Sequence, residues 1–340
     1  MLENLPLARA GVDRDAVTRA SAEDLARLRG HPDARWLLAR PDGVAATGAA
    51  LDLHPMTALG DLGWRDLRPA LDAGPDAGDP WTRVDARTGS ADLADDAGNA
   101  GWVLGYLGTD RGVPYFVVLV TGESLPAPID DVVRHATIVG LRDVGDLPDR
   151  EAGLAVAAVA LAAWHARHPR CPRCGAVTLP VQAAWSRECV ADGSVHFPRT
   201  DPAVIMGVRD HDDRVLLGHA ATFPAHRWSC LAGFVEAGES AEAAVRRETA
   251  EETAVAVGEL EYLGSQPWPF PCSLMLAYLG RTVEPRPEPR PDGVEMLDAR
   301  FFSRAELRAA VDSGEVVLPP GSSIARAILT HWYGAALPGD

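Results

Sequence analysis

Apolar and polar positions are arranged in more than one way along this chain, and each arrangement predicts a different kind of element. In the first 130 residues, short continuous apolar runs predict buried strands at Arg35-Trp-Leu-Leu, Trp102-Val-Leu-Gly-Tyr-Leu and Tyr115-Phe-Val-Val-Leu-Val. Between them, Asp72 to Gly98 is rich in Asp, Gly, Pro and Ala, as loops are. Asp149 to His168 is alanine and aliphatic around most of its circumference, which predicts one helix buried between domains. His165 and His168 fall at its end, where an imidazole is more often a partner of the helix dipole than a ligand. Further on, Ala203–Val208 and Arg214–Gly218 read as a hairpin turning at Asp210-His-Asp-Asp. Leu260–Gly264 and Leu274–Leu279 read as strands, and Phe301-Phe302 ends another. The proline-rich Arg281–Gly293 is a loop, while Arg304–Ser313 and Ser322–Trp332 have helical periodicity. Strands alternating with helices in this way predict a mixed sheet covered on both faces, an α/β sandwich.

Length and charge narrow the classes. At 340 residues the chain suggests two or three domains, and 47% hydrophobic with 24% charged residues is a globular composition. A formal charge of −16 argues against a broad phosphate-binding surface for nucleic acid. It leaves room for a small phosphorylated substrate, because bound metals invert the local charge. No lysine occurs, so every fixed side-chain cation is arginine. The start lacks a basic segment followed by a long apolar core, and Ala152–Trp164 is too short to span a bilayer, so no membrane role is expected. Five cysteines, two of them in a CxxC, fit a reducing cytoplasm better than a disulfide framework.

The strongest chemical signal is Gly233–Val255, GFVEAGESAEAAVRRETAEETAV. A glycine-bearing loop runs into a helix on which Glu248, Glu251 and Glu252 project within one arc. Ser240 is the expected N-cap, with Glu242 in the first turn. Three carboxylates on one face repel each other unless cations sit between them, and hard divalent ions with oxygen ligands are the natural choice. A solvated acidic face is the bland alternative. The second signal is Cys171-Pro-Arg-Cys174, followed by Cys189 at the spacing of a second zinc-ribbon knuckle. The fourth position is Asp192, with His196 as a rival ligand, so a Cys₃Asp site, a Cys₃His site and a degenerate ribbon without metal all stay open. Four protein ligands would make the zinc structural.

Gly233, Glu239, Arg247, Glu248, Glu251 and Glu252 match the Nudix box in order and spacing. Thr249 stands where an aliphatic residue is usual, and Ala254 where the closing glycine is usual. If Ala254 adopts the left-handed conformation of that glycine, the cost is on the order of 1 kcal/mol. Ser265-Gln-Pro-Trp-Pro-Phe-Pro-Cys-Ser then resembles the signature of the NADH pyrophosphatase family, with three prolines setting a rigid loop that presents Trp268 and Phe270. The junction WHARHPRCPRCG, the HFPRTDPAVIM segment, DGVEMLDARFF and LPPGSSIAR extend the resemblance. Residues before about 130 resemble the family only in position and length. Cys272 departs from the glutamine usual there, which puts one substrate hydrogen bond in doubt.

The resemblance implies a Nudix α/β/α sandwich over 199–335, preceded by a zinc-ribbon-like segment at 171–198, a linking helix at 149–170 and an N-terminal α+β accessory domain at 1–148. It implies metal-dependent hydrolysis of NADH or NAD⁺ to nicotinamide mononucleotide and AMP, removal of NAD caps from RNA 5′ ends, and a cytoplasmic homodimer in which the loop helps complete the neighbouring pocket. Carried over residue by residue, Glu248, Glu251, Glu252, Glu295 and the Ala232 carbonyl would hold Mg²⁺ or Mn²⁺, and Cys171, Cys174, Cys189 and Asp192 would hold structural Zn²⁺. Phe197 and Phe234 would flank the nicotinamide. Gln266, Pro267, Trp268, Pro269, Phe270, Pro271, Cys272 and Ser273 would line the substrate pocket with Ala325. Arg247 would orient a glutamate by ion pairing, and Glu252, before Glu248 or Glu251, would hold or deprotonate the attacking water. Two rivals remain: a Nudix hydrolase preferring ADP-ribose or dinucleoside polyphosphates, and a non-catalytic zinc-ribbon adaptor.

Overall fold

A computed structural model describes residues 1–2, 5–9, 11–60, 62 and 101–339. The loop expected at Asp72–Gly98 lies outside the described residues. The chain forms two compact units, 10–199 and a second that joins 1–9 to 200–340. That division is coarser than the four segments expected from the sequence.

In the unit 10–199, strands β1 (Arg35–Arg40), β2 (Gly43–Thr47), β3 (Ala50–Leu51), β4 (His54–Pro55), β5 (Trp102–Asp110), β6 (Val113–Val120) and β7 (Ile138–Val139) form one sheet. β1 runs parallel to β6, while the other pairings are antiparallel. Side chains alternate across a strand, so Trp36, Leu38, Phe116 and Val118 enter one core together with Leu25 of α1 (Ala22–Arg29) and Ile129 of α2 (Ala127–His135). Leu37, Val117 and Leu119, also fully buried, point the opposite way.

α3 (Asp149–Arg167) packs on β1, β2, β5 and β6, so the sheet of its own unit covers it. An all-apolar helix needs cover on most sides, and its parent sheet supplies much of it. His168 does serve the helix end, its Nδ1–H donating to the Trp164 carbonyl at 3.1 Å. His165 does not. It is 2% exposed, its Nε2 bonds the Ala184 carbonyl and its Nδ1 accepts from Arg187, and burial pushes its pKa down to about 3. A neutral imidazole is no dipole partner.

A three-stranded ribbon follows, β8 (Thr178–Val181), β9 (Ser186–Cys189) and β10 (Val195–His196), all antiparallel. In the other unit, β11 (Asp201–Arg209), β12 (Val215–Ala220), β13 (Leu231–Phe234), β14 (Val257–Trp268), β15 (Ser273–Thr282) and β16 (Met296–Phe302) form a mixed sheet, with β11 parallel to β15. The alternation is clean. Ala203 and Ile205 face the core under α5 (Arg304–Asp312) and α6 (Ile324–Tyr333), whereas Val204, Met206 and Val208 face α4 (Ala241–Thr253). The sheet is therefore covered on both faces, as the alternation of elements predicts. The segment 1–9 belongs to this unit, with Leu5 in the core beside Leu263.

Candidate active site and metal centres

The site grows from the β13–α4 junction. Ser240 caps α4 by accepting the Ala243 amide at 3.2 Å, and Glu242 occupies the first turn. At the other end Ala254 is left-handed, with φ 57° and ψ 18°, so the strain anticipated for the missing glycine is present. Thr249, in place of an aliphatic residue, is fully buried and satisfies its hydroxyl by donating to the Val245 carbonyl at 2.7 Å.

Across the carboxylate arc, burial changes from residue to residue. Glu251 is exposed, Glu248 half-buried and Glu252 only 7% exposed. Burial, with Glu248, Glu295, Asp292 and Glu251 nearby, raises the Glu252 pKa to about 8, and burial also raises Glu248. The Glu252 Oε2 atom is buried with no hydrogen-bond partner. An orphaned carboxylate oxygen among other carboxylates is costly unless a cation completes it. Gly233 is required by this packing, because a Cβ there would lie 1.9 Å from the Glu248 carboxyl carbon.

Arg247 organises the arc. Its Nε and Nη2 donate to both Glu239 oxygens at 2.9 Å, its Nη1 donates to Glu248 at 2.9 Å and Glu251 at 3.0 Å, and its Nη2 also donates to the Phe234 carbonyl at 2.9 Å. All five guanidinium donors are used. Glu239 was part of the motif but not of the expected site, and it is the bidentate anchor that fixes Arg247. Asp292 was missed altogether. Its Oδ1 accepts the amides of Val294, Glu295 and Met296, so it shapes the turn carrying Glu295, and no metal-box spacing points to it. Ala232 lies on β13 opposite Ile205, directly before Gly233.

The substrate-loop residues are split by the structure. Gln266, Pro267 and Trp268 are not loop but the end of β14, paired with Met275, Leu274 and Ser273 of β15, and only 269–272 form the tip. Pro267 is tolerated because β14 is an edge strand. Trp268 and Phe270 are half-buried with ring centroids 4.8 Å apart, and Pro269 and Ser273 are buried. Pro271 is exposed. The Cys272 thiol donates to the Asp201 carboxylate at 3.4 Å. Gln266 is 0% exposed and Ala325 sits in the core at the start of α6, so neither side chain lies at a surface. Strand alternation turns the Gln266 side chain inward. Phe234 on β13 is 56% exposed, and Phe197, in the other unit, is 64% exposed.

In the ribbon, Cys171, Cys174, Cys189 and Asp192 bring their ligand atoms within 4.8 Å of one another. The Cys174 and Cys189 sulfurs are 3.5 Å apart, and His196 Nε2 stands 3.3 Å from the Cys171 sulfur while bonding Ser194. Asp192 accepts from the Ser194 amide and hydroxyl, which hold its carboxyl down at about 2, so it is charged and aimed. The cluster can hold a metal ion.

Among the described residues, no helix is long and apolar enough to cross a membrane. Residues 199–318 match the NUDIX domain family, and residues 166–197 match the NADH pyrophosphatase zinc ribbon domain. A Mycobacterium bovis protein named NAD-capped RNA hydrolase NudC is 42% identical over 216 residues, covering 60% of this chain and 68% of that protein. A Schizosaccharomyces pombe NAD-capped RNA hydrolase is 45% identical over 140 residues, covering 39% of this chain and 37% of that one. Among solved structures, a NUDIX hydrolase from Nitrosomonas europaea is 22% identical, covers 50% of this chain and 95% of that chain, and has a TM-score of 0.37.

Proposed function

The chain belongs to the Nudix hydrolases that carry the NADH pyrophosphatase zinc ribbon, and we propose that it hydrolyses the diphosphate of NADH and NAD⁺ to nicotinamide mononucleotide and AMP, and removes NAD caps from RNA 5′ ends. The observation that carries the catalytic part is the orphaned, buried Glu252 oxygen, with the carboxylates of Glu248, Glu295 and Glu251 near this residue. Such an arc fits Mg²⁺ or Mn²⁺ held by Glu248, Glu251, Glu252, Glu295 and the Ala232 carbonyl. When bound, the ions supply neutralisation of the diphosphate charge and acidification of a water.

The protein's own part is positional and protonic. Arg247 holds Glu248 and Glu251 against the arc and is itself held by Glu239. Its donors are all engaged, so it orients ligands instead of gripping phosphate. Gly233 lets the Glu248 carboxylate approach the backbone. Glu252, the most buried of the three, is the group best placed to take a proton from the attacking water. Phe234 offers an exposed ring for the nicotinamide, and Trp268 and Phe270 form a paired aromatic surface for the dinucleotide. Zn²⁺ on Cys171, Cys174, Cys189 and Asp192 holds the ribbon and takes no part in the chemistry.

The test offers purified protein, with Mg²⁺ or Mn²⁺, NADH, NAD⁺, ADP-ribose and NAD-capped RNA at equal concentration, with products identified. Release of nicotinamide mononucleotide from NADH at a higher kcat/KM than ADP-ribose cleavage is the expected result. A preference for ADP-ribose would sink the assignment. Phe234→Ala should reduce NADH turnover about tenfold or more while changing ADP-ribose cleavage less, because base–aromatic stacking is worth roughly 1–3 kcal/mol. The same reading includes a homodimer. Mixing Trp268→Ala with Glu252→Gln chains restores activity only if one subunit's loop completes the other's site.

A further inference from the structure

Gln266 lies in the substrate-loop motif yet is 0% exposed. Its Oε1 accepts the Leu7 amide at 3.2 Å, and its Nε2 donates to the Ser322 carbonyl at 3.0 Å. One side chain therefore ties together three segments far apart in sequence: residues 1–9, the end of β14, and the turn leading into α6. Both ends of that tie are dry, since Leu7 is 1% and Ser322 3% exposed. A second row of contacts runs beside it. The Leu2 amide donates to the Leu263 carbonyl at 2.6 Å, Leu5 is in the core with Leu263, and Leu2 and Trp268 pack against the same core. The register of β14 on β15 shifts between Tyr262 and Gly264, where Gly264 has φ 147°. A Cβ at Gly264 would come within 3.6 Å of Leu5 and 3.9 Å of the Leu2 carbonyl, so Leu2 and Leu5 pass closely over this irregularity. Strand β14 is an edge strand, with β15 on one side only. An edge strand interrupted by a register shift and by Pro267 has weak ladder support of its own.

We infer that Gln266 is a positioning residue through which the segment 1–9 fixes the β14–β15 hairpin, and so sets the placement of Trp268 and Phe270 toward the dinucleotide. The Gln266 side chain acts here through its protein partners, the Leu7 amide and the Ser322 carbonyl. The amide is the side chain that suits this place, since it donates at one end and accepts at the other, and each partner offers only the complementary group. Leaving the Leu7 amide and the Ser322 carbonyl unmatched in a dry interior would loosen the hairpin, not the carboxylate arc. The functional half of this inference rests on dinucleotide hydrolysis as the activity, whereas the structural half does not.

The experiment compares the wild-type chain, Gln266→Leu, a chain lacking residues 1–7, and the two changes combined. Hydrogen exchange of peptides spanning 266–275 is followed by mass spectrometry, with peptides of α4 as the internal reference. Both single changes should speed exchange in the hairpin several-fold and leave α4 unchanged, and the combination should be no faster than either alone. Unchanged hairpin exchange in the truncated chain, or effects that simply add, would overturn the inference. In steady-state assays KM for NADH should rise about three- to tenfold, the size of one lost buried hydrogen bond. That rise should exceed any fall in kcat. A fall in kcat at constant KM would also overturn it, because a disturbed metal arc, not a displaced hairpin, gives that pattern. If the wild-type chain does not cleave NADH, the proposed function fails, and the exchange data decide the brace by themselves.

Discussion

Glu252→Gln removes a charge without changing size, at a carboxyl that is 7% exposed. In protein free of Mg²⁺ and Mn²⁺, burial and then the carboxylates of Glu248, Glu295, Asp292 and Glu251 raise Glu252 from 4.5 to about 8. In the unfolded chain the group stays near its ordinary value. Between those two values the native state binds the extra proton, so this contribution to stability is full below about pH 4.5 and is lost as pH rises through about 8. Each pH unit inside the window is worth about 1.4 kcal/mol, and with allowance for relaxation around the charge the loss between pH 5 and 8 should be roughly 2–4 kcal/mol. Glutamine cannot ionise, so the variant lacks this slope. Urea denaturation of dialysed protein at several pH values, read as variant minus wild type, cancels the contributions of other groups. The variant should match the wild type near pH 5 and exceed it by about 2–4 kcal/mol near pH 8. Added Mg²⁺ should reverse the order by stabilising the wild type more. Turnover of the variant should fall by about 10²-fold or more. Parallel stability profiles across the whole range would refute the account of Glu252 as a buried carboxyl awaiting a cation.

Ala254→Gly should raise stability by about 0.5–1 kcal/mol, seen as a higher denaturation midpoint, because a left-handed φ of 57° strains alanine and not glycine. Arg247→Lys keeps the charge but loses the bidentate grip on Glu239 and most of the five donors, so kcat should drop about tenfold or more while circular dichroism stays native. Cys174→Ser should abolish stoichiometric zinc in elemental analysis and lower the melting temperature, while divalent-dependent turnover of the remaining folded protein stays near normal.

Much of the active-site helix is legible from sequence because its information is local. The cap at Ser240, the carboxylate arc and the left-handed Ala254 all follow from spacing within one helix and its ends. The strands at 35–40, 102–110 and 113–120 are legible for a similar reason, since uninterrupted apolar runs say what is buried on both faces. What is not legible depends on partners distant in sequence. The Gln266 bonds to the Leu7 amide and the Ser322 carbonyl span 259 and 56 positions of sequence, and no local pattern announces them. His165 reads as a helix-end cation until Arg187, itself 2% exposed, is seen donating to its Nδ1. Residues 1–9 carry no periodicity that could assign them to the C-terminal unit. Asp292 escapes because its work is done on backbone amides, which leave no pattern in side-chain spacing.

The saturation of Arg247 constrains how a diphosphate can be received here. A guanidinium with a free fork would bind phosphate oxygens directly, and cleavage could then proceed with modest help from metal. This guanidinium has Glu239 on one edge, Glu248 and Glu251 on another and the Phe234 carbonyl on the last donor. Releasing any of the three glutamates to reach substrate would free a carboxylate beside an already repelling group. Negative charge therefore meets negative charge at the arc, and only divalent cations can reconcile the two. Under the proposed function, catalysis is tied to the carboxylates and recognition to the aromatic rings of Phe234, Trp268 and Phe270, which carry no charge to lose. The two sets of residues should separate in kinetics, with carboxylate changes lowering kcat for every diphosphate and ring changes altering which diphosphate is preferred.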